Sequence, residues 1–434
     1  MSGAVAAHAA YNGSGTQGLA VTNKIHADDG DVMSVFWNEN DTTRQLLYGS
    51  AIVEIPASGG GGTLVGGGNQ IFTVNNDIDA LGDLYLQISM TCTAAQPYFL
   101  LTQIKRVEYI VGTQIWQTLE TRDILGLNQT EMSEGCFEAY SMAASGYFNG
   151  TNPNTGTFSG NSVSLPAYAP YPPGGTTSTA CFRLPCLSRT VGTTLAKFTD
   201  ISEGAYLIAG APHQQVKIKV YLDKDNRALN RGALAPSDIT LKLYGQHMIM
   251  CNEEREHIKA SPAGLPKRIK MTQNVTHHLT TGQQGVVGGA SPQTFTVDLD
   301  VFSLFASHLI IYVDSHDGSA GLRSAELKLN SSSYSGELSG AMLTGSTADA
   351  LGLYSNQFMS QGVNLAPNYY IFPLASTAYG GSSVPLNRFD SIRLSLQVNE
   401  PFADGPQVAN YVSITCVGET TALYKGGAAS LAMY

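Results

Sequence analysis

The chain has 434 residues, a formal net charge of −10, and 13% charged side chains against 43% hydrophobic ones, where an average soluble domain carries roughly 25% charge. A protein that coats nucleic acid directly needs a basic arm or stripe to displace counterions from phosphate. Here the first 23 residues carry no charged side chain and the densest basic run is Pro266–Lys270, which reads as a solvated loop, so direct nucleic-acid binding is not expected.

The length exceeds that at which one core keeps growing, so two domains are expected. With 46 glycines and many Ser and Thr residues, the composition fits an all-β protein much of whose surface meets other protein. No run approaches 18 apolar residues, so no membrane-spanning helix is expected. Taken in chain order, period-two alternation marks strands at 81–92, 104–116, 213–223, 238–250, 293–302, 308–314, 323–330, 390–398 and 410–418. Gly- and Pro-rich turns lie between them, at 57–69 and 168–179 for example. The stretch 117–144 is instead rich in helix formers, with acids early, and predicts short helices between strands.

The order of elements repeats. "LGDLYLQI", "IKRVEYIVGTQ", "QQVKIKVYL" and "DITLKLYGQ" of the first half are answered by "SHLIIYVD", "RSAELKLNSS", "FDSIRLSLQV" and "NYVSITCVG" of the second. A long excursion sits at the same place in each series, at about 124–205 and 331–386. A duplicated β unit accounts for this. The expected division is an N-terminal arm (1–30), a first unit (31–232) and a second (233–434), joined near 227–238.

Residues that could carry chemistry are scarce. His277 and His278 are adjacent, so on a strand they point to opposite faces and cannot converge on one metal; His247 reads as structural. A calcium loop starting at Asp28 would need oxygen ligands where Gly30 and Val32 stand. Glu253 and Glu254 are neighbours at a strand end, not carboxylates facing across a cleft. Neither a Walker A loop nor a G-x-S-x-G elbow occurs. The chain is therefore expected not to be an enzyme, with no metal and no cofactor. Six dispersed cysteines (Cys92, Cys136, Cys181, Cys186, Cys251, Cys416) and an N-terminus without a basic start and compact apolar block predict reduced, mostly buried thiols. Asn-x-Ser/Thr triplets at Asn12, Asn40, Asn128, Asn149, Asn274 and Asn330 are weak candidate glycosylation sites.

"NYYIFPLASTAYGGSSVPLNRFDSIRLSLQV" (368–398) joins a strand, a Pro/Ser/Gly loop and an Asn-Arg-x-Asp turn into a further strand. "DIDALGDLYLQI" (77–88) with Gly82 and Asp83, "IKRVEYIVGTQIWQTL" (104–119), "YLIAGAPHQQVKIKVYL" (206–222), "MIMCNEEREHI" (248–258) and the tail 419–434 add five more landmarks. In this order they resemble, as a divergent member, the major capsid proteins of nucleocytoplasmic large DNA viruses of the iridovirus and phycodnavirus type. The resemblance implies a double jelly roll: two tandem eight-stranded antiparallel sandwiches with short helices in the loops. It also implies a homotrimer whose six sandwiches make a nearly hexagonal capsomer, tiling an icosahedral shell in the virion against neighbouring capsomers and minor capsid proteins. The long excursions would supply outward loops, and the uncharged arm would face inward, toward minor capsid proteins or an internal membrane. Asn387, Arg388 and Asp390 would order the turn before the final strand pair, Arg388 and Asp390 bonding to backbone or to each other. The alternatives are a minor capsid, penton or spike protein of the same virus type, or a carbohydrate-binding β-sandwich.

Overall fold

The computed structural model describes residues 48–59, 62–92, 103–132, 136–137, 140, 176–185, 206–223, 239–250, 255, 258, 265–279, 294–313, 322–344, 346–353, 369–376, 383–398 and 411–432. The 1–30 arm, Asp28, Asn12, Asn40, Asn149, Cys186, Cys251 and the Glu253–Glu254 pair lie outside the described residues.

In chain order the strands of the first half are β1 (Tyr48–Ile55), β2 (Asn69–Thr73), β3 (Ala80–Cys92), β4 (Ile104–Val111), β5 (Gln114–Glu120), β6 (Thr176–Leu184), β7 (Tyr206–Leu207), β8 (Val216–Leu222) and β9 (Thr240–Met250), with helix α1 (Thr121–Glu131) between β5 and β6. The second half has β10 (Leu265–His278), β11 (Phe295–Asp298), β12 (Phe305–Val313), β13 (Leu322–Leu329), β14 (Ser332–Ser333), β15 (Leu338–Ser339), β16 (Tyr369–Pro373), β17 (Val384–Pro385), β18 (Ile392–Val398), β19 (Tyr411–Lys425) and β20 (Ala428–Ala432). Helices α2 (Gly340–Thr344) and α3 (Ser346–Ala350) and a 3-10 turn at Leu386–Arg388 interrupt it.

Among the described residues all pairings are antiparallel, in four sheets. The first half forms β1-β9-β3-β6 and β2-β8-β4-β5; the second forms β10-β19-β12-β16 and β11-β18-β13-β14. These orders superimpose term by term, so each half is the same eight-stranded sandwich. The repeat extends to irregularities. β3 against β9 carries a bulge between Leu81 and Leu84, and β12 against β19 carries one between Ala306 and His308. Beside each bulge a two-residue strand adds on, β7 to β3 and β17 to β12.

Alternation explains the layers. In β8, Val216, Ile218, Val220 and Leu222 are buried while Lys217, Lys219 and Tyr221 are half-buried; β18 buries Ile392, Leu394, Leu396 and Val398 in the same way. Side chains one residue apart face opposite sides of a sheet, so one face fills the sandwich and the other faces outward. β12 departs from this: from Ala306 to Val313 both faces are buried. Its sheet is covered on its outer side as well, by the first half of the molecule.

The expected division at 232/233 is corrected by the strand pairing. It would place Thr240–Met250 in the second unit, yet β9 lies between β1 and β3 (Ile55↔Leu243, Leu86↔Leu243), so its apolar face completes the first core. The repeat of elements already grouped this strand with the first half. The excursions are also more than loops: the first holds α1 and β6, the second β14, β15, α2, α3 and β16. Pro266–Lys270, read as a solvated loop, is the start of β10.

Candidate functional site: the junction between the sandwiches

α1 is buried along its whole length, all eleven residues. Ile124, Leu125 and Leu127 are fully buried in the apolar core, and Asn128 donates through Nδ2 to the Arg183 carbonyl of β6 at 3.2 Å. The Thr121 hydroxyl donates to the Ile104 carbonyl. The opposite side of the helix meets the outer face of the β10-β19-β12-β16 sheet.

That face is polar where α1 lands on it. Asp123 stands in the first turn, where the positive end of the helix dipole favours a carboxylate. Its Oδ2 accepts from the Glu120 amide at 2.9 Å; its Oδ1 accepts from Asn274 Nδ2 at 2.9 Å and from the Thr415 hydroxyl at 2.6 Å. Burial pushes the Asp123 carboxyl up from its ordinary value, against the Thr415 hydroxyl, the Arg122 guanidinium and the Glu120 amide. Every partner is a donor, so the geometry serves the ionised form. Arg122 reaches the Glu120 carboxylate, donates to Thr276 Oγ1 at 2.6 Å, and lies 4.9 Å over the Tyr411 ring. Gln117 of β5 donates to Thr272 Oγ1 at 3.0 Å.

Glu131 ends α1, the wrong charge for a helix C-terminus. Lys270 answers it with a direct ion pair in which each side chain is 1% exposed. Burial pulls the Lys270 ammonium down from its usual pKa and Glu131 opposes the shift. Gly126 is where the helix comes nearest to β16: a Cβ there would lie 2.6 Å from the Tyr369 ring, whose hydroxyl donates to the Arg122 carbonyl at 2.7 Å. His308 of β12 is fully buried. The Ser307 hydroxyl donates to the Val417 carbonyl (3.1 Å) and lies 2.8 Å from His308 Nδ1, so the imidazole donates through Nδ1–H and leaves Nε2 a bare lone pair. Burial pushes His308 down to about 3.

A second contact clamps the halves. The β19–β20 hairpin turns through Gly426 and Gly427, both at positive φ (+61° and +76°) as a two-residue primed turn requires. Its Ala429 amide donates to Gln214 Oε1 at 2.7 Å, its Gly427 carbonyl accepts from the His213 amide at 3.1 Å, and the Tyr424 hydroxyl accepts from the Leu207 amide at 3.1 Å. Arg255 forks onto Asp79 at 2.6 and 2.7 Å.

The residues singled out in the sequence are distributed differently. Gly82 and Asp83 sit in the β3 bulge, where Asp83 pairs with Arg183 of β6 at 3.1 Å. Asn387, Arg388 and Asp390 are exposed, and the Arg388 and Asp390 side chains have no ion-pair partner among the described residues. Two unforeseen residues hold this turn. Asn330 Oδ1 accepts from the Asp390 and Ser391 amides at 2.9 and 3.2 Å, and Asp300 Oδ1 accepts from the Ile392 amide at 2.7 Å. Asn330 and Ser331 are themselves at positive φ (48° and 68°) in the two-residue turn between β13 and β14. An Asn-Ser pair between an alternating strand and a serine run was the available signal.

Two glycosylation candidates are overturned. Asn128 is 0% exposed, and Asn274 Nδ2 is committed to Asp123, Ser413 and Thr415. Asn330 stays exposed with its amide oxygen in use. His277 stacks on Phe295 and His278 meets Tyr411, on opposite faces as alternation predicts. Of the three thiols whose burial is described, Cys416 is buried, while Cys136 and Cys181 are exposed. Among the described residues no three His, Cys, Asp or Glu side chains converge as metal ligands, and no helix is long and apolar enough to cross a membrane.

No family model and no curated protein matches the sequence. Solved structures do. Vp54 of PBCV-1, in the crystal structure fitted into a cryo-EM reconstruction of the virophage Sputnik, matches with a TM-score of 0.67 at 12% identity, covering 90% of this chain and 98% of that one. The chain has the double jelly-roll fold. A chain of the PBCV-1 virus capsid gives 0.64 at 12% identity over 90% and 98% of the two chains, and the Faustovirus major capsid protein 0.59 at 8% over 90% and 93%. At such identity the likeness is one of backbone path, and the polar junction of this double jelly roll is read from its own residues.

Proposed function

We propose that the chain is a major capsid protein: three copies close into a capsomer of six jelly rolls, and such capsomers tile the icosahedral shell of a double-stranded DNA virus. The observation that carries this reading is the pair of complete, equivalent jelly rolls joined through a buried junction, in the fold of the PBCV-1 and Faustovirus capsid structures. A tile must keep one outline through many slightly different contacts, and a junction closed by apolar packing, ion pairs and a hairpin clamp holds both rolls in one orientation. Three chains around an axis form a closed cyclic assembly, and two similar rolls per chain bring it near sixfold shape. Low charge suits surfaces buried between subunits, since interface centres are depleted of charged residues.

In this reading the role is structural rather than catalytic. The jelly rolls divide between Met250 and Leu265, and the 1–30 arm faces minor capsid proteins or an internal membrane. Native mass spectrometry of the purified full chain tests the proposal: a mass of three chains is expected. A five-chain mass would move the protein to a vertex role, and a stable monomer that binds glycans would make it a carbohydrate-binding module.

A further inference from the structure

The junction brings together a buried histidine and buried charges in a way that the static role of a tile does not need. The strand register places His308, Val417 and Thr272 in one row across β12, β19 and β10, on the face that receives Gln117 from the first jelly roll. Lys270 is the next residue on that face along β10 and is held by Glu131. His308 is 0% exposed, its Nδ1–H is used by Ser307, and its Nε2 has no partner among the described residues.

We propose that this junction is an acid-operated latch, in which a proton taken from solvent onto His308 Nε2 loosens α1 from the β10-β19-β12-β16 sheet before either jelly roll unfolds. The described charged groups around the site are Glu131, Asp123 and Arg122 from α1, Lys270 from β10, and Arg183 and Asp83 from β6 and β3 behind the helix. Glu131 pairs with Lys270, Asp83 with Arg183, and Asp123 is saturated by its own donors. Glu419, part-exposed, lies in the row of Lys270 and not of His308. β12 and β16 add the hydroxyls of Tyr312 and Tyr369, which are paired on that face. An imidazolium at His308 would therefore be an extra buried cation beside the Glu131–Lys270 pair, whose carboxylate is already bonded to the ammonium, and its new N–H would have no acceptor among the described residues. A buried unpaired charge is among the costliest features a core can carry.

The direction follows from linkage. The ring is held neutral in the closed junction, down to about 3, against 6.5 when free. The open form binds the proton and the closed form does not, so the latch is at full strength above pH 6.5. As pH falls from 6.5 toward 3 the equilibrium shifts to the open form by about tenfold per pH unit.

Hydrogen-exchange mass spectrometry of the purified full chain near pH 7.5 and 4.5, corrected for intrinsic exchange, tests this. Peptides of α1 and β12 are expected to lose protection about tenfold or more at the lower pH while β4 and β18 keep theirs. His308→Asn places an amide N–H near the Ser307 hydroxyl and does not titrate, so it should abolish that loss. Unchanged protection of α1 in the parent, or an equal loss in a folded H308N variant, overturns the proposal. Should H308N not fold, spectra of the parent with 15N-labelled histidine decide: a ring that stays neutral below pH 4 supports the latch, and all rings titrating near 6.5 defeat it.

Discussion

At the residue scale, accessibility and bonding separate side chains that look alike in the sequence. Arg388 stands in a turn that the chain must make, yet its side chain is exposed and unpaired among the described residues, and an exposed charge without a partner contributes little. Asn330 accepts two backbone amides of that turn and occupies a left-handed backbone position that Asn tolerates better than most residues. In urea titrations Arg388→Ala should leave the midpoint within the scatter of the parent, about 0.5 kcal/mol. Asn330→Ala should cost about 1–2 kcal/mol, and Asn330→Gly, which keeps the backbone freedom without the acceptor, should fall between. Asp300→Ala should cost about 1 kcal/mol by stripping the Ile392 amide of its partner. A large effect at Arg388 beside a neutral Asn330 would reverse this assignment.

At the scale of elements, α1 is the piece whose surroundings depend most on the rest of the chain. Its sequence, with Arg122, Asp123, Asn128, Gln129 and Glu131, reads as a helix with a solvated face; all of those residues are buried because two jelly rolls close on it. Breaking one partner of a buried ion pair strands the other, so Lys270→Met should lower stability by about 3–5 kcal/mol. Adding Glu131→Leu should restore most of it, since an apolar pair of similar volume removes both desolvation penalties; calorimetric melting of the two variants measures the difference. Gly126→Ala would help a free helix by about 0.8–1 kcal/mol. Here it should destabilise, because the new methyl meets the Tyr369 ring at 2.6 Å, and a Tyr369→Ala background should relieve the cost. A Gly126→Ala variant as stable as the parent would mean that the helix sits farther from β16. Alternation along each strand is a local property, which is why β8 and β18 were legible from their residues; what covers a helix's polar side is not local.

At the scale of the whole molecule, residues of both jelly rolls belong to one continuous apolar core, bridged by α1 and by the β19–β20 hairpin. Cooperative unfolding follows where such a core is shared. Differential scanning calorimetry near pH 7.5 should therefore show a single transition, and two resolved peaks would mean that the rolls are coupled only weakly. Acidification should lower that transition as His308 gives up its neutral state, its contribution being complete above pH 6.5 and lost toward about 3.

By itself the sequence determined the fold class, the duplicated order of strands and the faces they bury, because periodicity and turn chemistry act within a few residues of each position. It also carried, through six ordered landmarks, the resemblance to capsid proteins. Only the tertiary structure decided that Thr240–Met250 closes the first jelly roll, that Lys270 leaves solvent for Glu131, that Asn330 rather than Arg388 holds the final turn, and that His308 is sealed between the halves. Each of those is settled by partners between 60 (Asn330 to Asp390) and 202 (Tyr48 to Met250) positions away in the chain or by burial that such partners create. Desolvation and long-range pairing depend on what the folded chain brings alongside, which no local pattern encodes.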